Sequence, residues 1–302
     1  MTPKNFTNIR QSKQQKSDPF PRINGILMIL ICFMTLYPVW YSVVISFNDG
    51  QDALLGGIYW WPRIFSIESY RAMFSHQGIL QAFLISIFRT VAGTATHLLF
   101  TAMVAYAFLQ TRLIGRKAYM TIGVITMFFN GGLIPTFLLV KNLGLIDNLL
   151  VYLFPSMFNF FHLIIFQAFF REIPKSLEES AMMDGMNDFG IFVRIILPLS
   201  APVMATIALF QGVWHWNDFF IGIIYVNEME LQPVATYLYR VIAQNQSSQM
   251  MVNMPASISR NAVTSQSIKM ATMVAATFPI VLVYPFLQKY FVKGLLVGSI
   301  KG

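Results

Sequence analysis

Residues 171–198 read REIPKSLEESAMMDGMNDFGIFVRIILP and lie between two long apolar runs. Pro174 suits the first turn of a helix, where its missing N–H is not needed. Gly185 is placed to end that helix in a left-handed conformation, and Asn187 or Asp188 can cap a second helix. The stretch therefore predicts a short helix, a sharp turn and a second helix that continues into the next apolar run.

Six apolar runs surround this stretch, and each holds 19 to 26 residues without Asp, Glu, Lys or Arg. A bilayer core of about 30 Å needs roughly 20 helical residues to cross. We therefore predict an all-α integral membrane protein, with an N-terminal segment at 1–22 and a transmembrane domain at 23–302. The six predicted spans are residues 23–47, 82–110, 118–140, 148–170, 199–225 and 270–290.

The composition agrees with a membrane protein. Of the 302 residues, 56% are hydrophobic and 11% are charged, whereas about a quarter of a soluble domain is charged. The net charge is +8, but the basic residues lie between the apolar runs rather than in one patch, which excludes a nucleic-acid partner and favours lipid. The single cysteine, Cys32, cannot form an internal disulfide, and no Cys/His cluster indicates a metal.

The Lys and Arg residues predict the orientation. Fourteen of them lie in the N-terminal segment, the loop after the second span, residues 171–198 and the C-terminal tail, whereas the alternate segments hold six. The positive-inside rule then places both termini and residues 171–198 in the cytoplasm. The external segments are about 48–81 and 227–268, and the second is either a flexible loop or a region with local structure or a partner.

The spacing of several residues in the 171–198 stretch resembles a pattern of the permease subunits of bacterial ATP-binding-cassette (ABC) importers. That pattern is Glu-Ala-Ala, three residues, Gly, nine residues, and Ile-x-Leu-Pro. All spacings are kept here, and Ser180 in place of the middle Ala is the one departure. The matching residues are Glu179, Ser180, Ala181, Gly185, Ile195, Leu197 and Pro198.

Three further stretches extend the resemblance over nearly the whole chain from residue 23. Trp216-Asn217-Asp218 resembles the Trp-Asn-acid element of carbohydrate permeases, and residues 293–302 are similar to the tail of the maltose-type second permease. Residues 130–136, NGGLIPT, resemble a branch that serves complex, often uronate- or pectin-derived, oligosaccharides.

The resemblance implies a MetI-like, type I importer fold in the bacterial inner membrane. It also implies a second homologous permease, two cytoplasmic ATPases that carry ATP and Mg²⁺, and an extracytoplasmic solute-binding protein as partners. Residues 171–198 would be the segment that couples to one ATPase. The residues expected to carry that coupling are Glu178, Glu179, Ser180, Ala181, Asp184, Gly185, Ile195, Leu197 and Pro198.

The chain itself has no Gly-x-x-x-x-Gly-Lys-Ser/Thr phosphate loop, so we expect a transport subunit and not an enzyme. We also expect it to bind no cofactor or metal ion of its own.

Polar residues within the spans are candidates for the substrate pathway, because such residues are costly at membrane depth. Arg89 either anchors the second span by reaching the outer interface or lies on the pathway, and His97 and His162 are expected to hydrogen-bond neighbouring helices. A cluster in the fifth span either lines a translocation cavity for a sugar or packs helices. Its members are Gln211, Trp214, His215, Trp216, Asn217 and Asp218.

The favoured substrate is an acidic oligosaccharide derived from alginate or pectin. The alternatives are a permease of a peptide or amino-acid ABC importer and a proton-coupled secondary carrier. A carrier would favour paired carboxylates or inverted repeats near the midplane, and a membrane enzyme would need a nucleophile–base set; the sequence shows neither pattern.

Overall fold

The computed structural model describes residues 20–75, 78–110, 112–129, 131–251 and 264–299. Among these residues all regular structure is helical, and one isolated antiparallel bridge joins Asn48 to Phe65.

Within the described residues, three helices are long and apolar enough to cross a membrane without interruption. They are α1 (Phe20–Ser46), α4 (Ile79–Ala107) and α14 (Ser265–Ser299). They correspond to the first, second and sixth predicted spans. At 1.5 Å per residue, the 27 residues of α1 extend about 40 Å, which exceeds the bilayer core.

The third predicted span, 118–140, is bent rather than straight. It consists of α5 (Arg116–Phe128) and α6 (Leu133–Asn142), whose axes differ by 116°. Gly132 lies at the break with φ of +91°, a conformation that residues with a side chain rarely adopt. Asn130, part of the NGGLIPT stretch, lies outside the described residues.

The fourth predicted span, 148–170, is not one continuous helix. A 3₁₀ turn at Leu149–Tyr152 is followed by an irregular stretch, and α7 (Phe160–Phe170) begins only after it. Asn159 starts α7, because its side chain accepts a hydrogen bond from the backbone N–H of His162 at 3.2 Å. The 11 residues of α7 extend about 16 Å, roughly half of the bilayer core.

The fifth predicted span, 199–225, is broken near its end. It consists of α11 (Ala201–Asn217) and α12 (Phe220–Tyr225), and a bend of 80° separates α11 from the helical stretch before it, Asp188–Leu199. By length and composition, the described residues contain three candidate spans, or five if each bent pair is one span. Six crossings and two cytoplasmic termini remain predictions.

The described residues contain further helical segments. Those outside the predicted spans and the 171–198 stretch are α2 (Gly50–Leu54), α3 (Glu68–Ser75), a 3₁₀ turn (Met229–Leu231) and α13 (Val234–Met251). The polar Gln/Asn/Ser stretch of the second external segment is therefore helical up to Met251.

The main core lies where α4, α7 and α11 pack around the 171–198 stretch. Leu163, Phe166, Ile191, Ile196 and Ile207 are all fully buried there. In contrast, α1 buries only Val44, Ile45 and Ser46 within this chain. Its apolar surface is left for lipid or for another subunit.

Candidate functional site

A cavity of about 650 Å³ opens between α4, α6, α7, α11 and α12. One part of its wall is polar and comes from the residues His97, Ser156, Asn159, His162 and Gln211. Another part is aromatic and comes from Phe158, Phe210, Trp214, Phe220 and Tyr225. The residues described as lining the cavity include no Lys, Arg, Asp or Glu.

Arg89 lies beside the cavity and is fully buried. Its Nη2 forms an ion pair with the Asp218 carboxylate, and its Nη1 donates a hydrogen bond to the Asp218 backbone carbonyl at 2.7 Å. The guanidinium also lies 4.7 Å from the Tyr152 ring centroid and 5.8 Å from that of Trp214, within the range of cation–π attraction. Of the two alternatives for Arg89, an anchor that reaches the outer interface is therefore wrong, because the side chain is buried and its charge is compensated in place. A role of Arg89 on the substrate pathway stays a prediction.

This ion pair explains the break in the fifth span. Asp218 has an extended ψ of 118°, which ends α11, and both its backbone carbonyl and its carboxylate face Arg89. The carbonyl freed by the break therefore has a charged donor, as an interrupted helix in a membrane requires.

The residues of the 211–218 cluster point in different directions. Gln211 and Trp214 line the cavity, whereas His215 is fully buried behind them, with its Nε2 3.2 Å from the Gln211 side-chain nitrogen. Gly93 on α4 faces the His215 ring so closely that a Cβ there would collide with it.

Trp216 and Asn217 lie away from the cavity. The Trp216 indole donates to the Ala276 carbonyl at 2.9 Å and so joins α11 to α14. Asn217 is exposed, and its side chain donates to the Val213 carbonyl of its own helix at 2.8 Å. Of the seven predicted pathway residues, the structure thus brings Gln211 and Trp214 to the cavity wall.

Two histidines on the cavity wall were expected only to join helices. His97 does so: its Nδ1 lies 2.7 Å from the Ser156 carbonyl, and its Nε2 lies 2.8 Å from Nδ1 of His162. Their place on the wall, beside Ser156 and Asn159, was missed because these residues come from separate elements. The one available signal was the presence of polar side chains within apolar runs.

The helix, sharp turn and second helix predicted for residues 171–198 are confirmed. The prediction that the second helix continues into the next apolar run is wrong, because an 80° bend separates Asp188–Leu199 from Ala201–Asn217. Helix α8 (Lys175–Met183) follows Pro174 directly, and Gly185 adopts φ of +82°. The N–H of Gly185 bonds the carbonyl of Met182 and the N–H of Met186 bonds that of Ala181, both at 3.0 Å. This pair of bonds is the Schellman ending, which requires a left-handed residue at the position of Gly185.

Asn187, rather than Asp188, caps the next helix. Its side chain accepts a hydrogen bond from the Gly190 N–H at 2.7 Å, and α9 runs over Asp188–Ile191. A π-helical turn, Phe192–Ile196, leads from α9 into the short α10 (Leu197–Leu199). Pro198, the last residue of the matched pattern, lies just before the 80° bend into α11.

The two faces of α8 differ in burial. Ala181 is 4% exposed and packs into the main core, whereas Glu179, Ser180 and Asp184 are exposed. Partial burial of Glu178 raises the pKa of its carboxyl group; Lys175 opposes this effect and Asp188 adds to it. Ile195 and Leu197 also pack against the main core.

Exposed apolar side chains adjoin the polar face of α8. Met183 is 88% exposed and Phe189 is 65% exposed. A mixed polar and apolar surface of this kind is typical of a protein–protein contact.

Comparison with known proteins identifies the family. The family model of the binding-protein-dependent transport system inner membrane component matches residues 24–297. The polygalacturonan/rhamnogalacturonan transport system permease protein YtcP of Bacillus subtilis is 43% identical over 282 residues, covering 93% of this chain and 97% of YtcP. The protein LplC of the same organism is 40% identical over 270 residues, 89% of this chain and 90% of LplC.

The chain is also similar to solved structures. One of them is a crystal structure of a bacterial ABC transporter involved in the import of the acidic polysaccharide alginate, with a TM-score of 0.81 and 30% identity. The match covers 90% of this chain and 96% of that one. The MetI-like fold expected from the motifs is confirmed, and the carrier and enzyme alternatives are excluded. The chain therefore belongs to the family of binding-protein-dependent transport system inner membrane components, the permease subunits of ABC transporters, in which ATP is hydrolysed by a separate subunit.

Proposed function

We propose that this protein is one of two permease subunits of an ATP-driven importer for a uronate-containing oligosaccharide. The sugar is delivered by an extracytoplasmic binding protein, passes the cavity beside Arg89, and enters the cytoplasm. The importer lies in the bacterial inner membrane, and this chain crosses it six times with both termini in the cytoplasm.

The observation that carries this proposal is the wall of the cavity. Ligand pockets typically enclose about 300–1,000 Å³, and the cavity encloses about 650 Å³. Sugars present hydroxyl groups to polar side chains and apolar C–H faces to aromatic rings. His162, Asn159 and Gln211 supply the first kind of contact, and Trp214 and Phe158 supply the second.

The substrate class rests on the relatives. YtcP is named for polygalacturonan and rhamnogalacturonan, and the similar solved transporter is described as importing alginate, an acidic polysaccharide. Both names point to polymers that contain uronic acids. A peptide or amino-acid substrate, the alternative within the ABC importers, has no comparable support.

In this proposal, residues 171–198 transmit the movement of an ATPase subunit to the cavity. The exposed face of α8, with Glu179, Ser180 and Asp184, sits on one of two ATPase subunits. The left-handed turn at Gly185 sets the angle between α8 and the helix that leads into α11. A movement of the ATPase is then passed along α11 to Gln211 and Trp214.

Uptake by the complete transporter in proteoliposomes tests the proposal. The binding protein, the second permease and the ATPases are included, and the probes are trigalacturonate, an alginate trisaccharide and a tripeptide. We expect ATP-dependent uptake of at least one of the two saccharides and none of the tripeptide. Gln211→Ala and Trp214→Ala should reduce uptake roughly tenfold or more, whereas Asn217→Ala, which alters an exposed residue away from the cavity, should not. Uptake of the tripeptide alone would overturn the proposal.

A further inference from the structure

The hydrogen bonds of His97 determine which of its ring nitrogens carries the proton. Its Nδ1 lies 2.7 Å from the backbone carbonyl oxygen of Ser156. A carbonyl oxygen only accepts hydrogen bonds, so Nδ1 of His97 must be the donor. A neutral imidazole has one N–H, so Nε2 of His97 carries a lone pair.

The tautomer of His97 determines that of His162. Nε2 of His97 lies 2.8 Å from Nδ1 of His162, and because the former is an acceptor, the latter must carry the proton. Nε2 of His162 is then left with a lone pair. His162 lines the cavity and its Nδ1 is occupied by His97, so Nε2 is the ring nitrogen that it offers to a ligand.

The surroundings favour two neutral rings. Both histidines are buried, and the residues that line the cavity with them bear no carboxylate. Arg89 and Asp218, the charged groups beside the cavity, form an ion pair and so compensate each other. His215 on α11, which contacts Gln211, and Tyr225 on the cavity wall are further titratable rings in this region, and neither is a carboxylate counter-ion.

We propose that the Ser156–His97–His162 chain of hydrogen bonds fixes His162 as an acceptor for a hydroxyl group of the transported saccharide. This inference rests on the proposed function and names the part of the substrate that this wall recognises. The lone pair at Nε2 accepts from a sugar O–H and repels a carboxylate. The uronate carboxylates therefore do not bind at Nε2 of His162.

Three variants separate this role from a structural one. His162→Gln retains an acceptor and should keep the KM for saccharide uptake within about threefold of the original. His162→Phe retains a ring without an acceptor and should raise that KM roughly tenfold. His97→Phe removes the group that fixes the tautomer, so it should give an intermediate rise. In all three, the amount of assembled transporter should stay unchanged.

The tautomers are measured directly by ¹⁵N NMR of the complete transporter in which only this chain is labelled, at its four histidines. The His97 and His162 variants assign the signals. We expect protonation at Nδ1 and not at Nε2 on both rings, in the absence of any saccharide. A proton on Nε2 of His162, two cationic rings, or an unchanged KM in His162→Phe would overturn the inference. Because the NMR measurement needs no substrate, the tautomers can be as expected even where no saccharide is transported, which would be a failure of the proposed function alone.

Discussion

Arg89 is a fully buried cation whose charge is balanced within the chain. The Arg89 guanidinium contacts both the carboxylate and the backbone carbonyl of Asp218. It also lies near the rings of Tyr152 and Trp214. Removing one member of a buried pair leaves the other charge uncompensated, which costs more than removing both. At the scale of single residues, this pair holds α4 at the break between α11 and α12.

We therefore predict strongly non-additive effects of substitutions at this pair. Arg89→Leu or Asp218→Asn alone should lower the free energy of unfolding by about 3–5 kcal/mol. The decrease in the free energy of unfolding of the double variant should be smaller than the sum of the decreases in the two single variants. Thermal unfolding of the purified permease in detergent measures these changes, and simple additivity would show that the two side chains do not stabilise each other.

At the scale of elements, the 171–198 stretch is a set of short helices with well-defined ends. Helix α8 ends in a left-handed glycine, Asn187 caps α9, and a π-helical turn precedes the bend into α11. The glycine ending and the asparagine cap depend on residues close together in sequence, so the helix–turn–helix could be predicted from the sequence. The π-helical turn and the bend were not predicted. The choice of Asn187 over Asp188 as the cap needed the structure.

The turn at Gly185 gives a prediction about coupling. Gly185→Val places a β-branched residue at φ of +82°, which costs on the order of 1–3 kcal/mol and should change the angle between α8 and α9. We expect the saccharide-stimulated ATPase activity of the complete transporter to fall sharply. Gly185→Asn is the matched control, because Asn tolerates the left-handed conformation, and it should retain most of the activity. Equal activity in both variants would contradict the role of the turn.

Glu178 makes the stability of the isolated permease depend on pH. Burial raises the pKa of its carboxyl group above the ordinary value of 4.5, so folding favours the protonated form. Its contribution to stability is complete below pH 4.5 and is lost as the pH rises through the raised pKa. We expect Glu178→Gln to remove this loss, which a series of melting temperatures between pH 4 and pH 7 would reveal. If the melting temperature of Glu178→Gln depended on pH in the same way as that of the original protein, the role of Glu178 would be contradicted.

At the scale of the whole molecule, the sequence indicated more about the helices than about their bends. The runs 23–47 and 82–110 closely match α1 and α4, because an uninterrupted apolar run predicts a spanning helix directly. The break in 199–225 depends on Arg89, which lies more than a hundred residues away from Asp218. The cavity wall likewise joins His97 to His162 across 65 positions, and one sequence carries no direct signal of such a contact.

The surface of the chain also indicates that it does not act alone. Most of α1 and the tips of α8 and α9 expose large apolar side chains. Lipid can cover α1, but Met183 and Phe189 belong to a segment predicted to lie in the cytoplasm. A partner on that side is therefore central to the account.

Site-specific cross-linking at α8 tests that central claim most directly. Cys32 is the single cysteine of the chain, so Cys32→Ser provides a background for Met183→Cys, at a position that is 88% exposed in the isolated chain. Met229→Cys, 71% exposed in the segment predicted to be external, is the matched control. In the complete transporter we predict that Met183→Cys cross-links to an ATPase subunit, with a yield that changes on ATP binding, whereas Met229→Cys does not. Free reaction of Met183→Cys with a water-soluble maleimide in that complex, without any cross-link to an ATPase, would contradict the account.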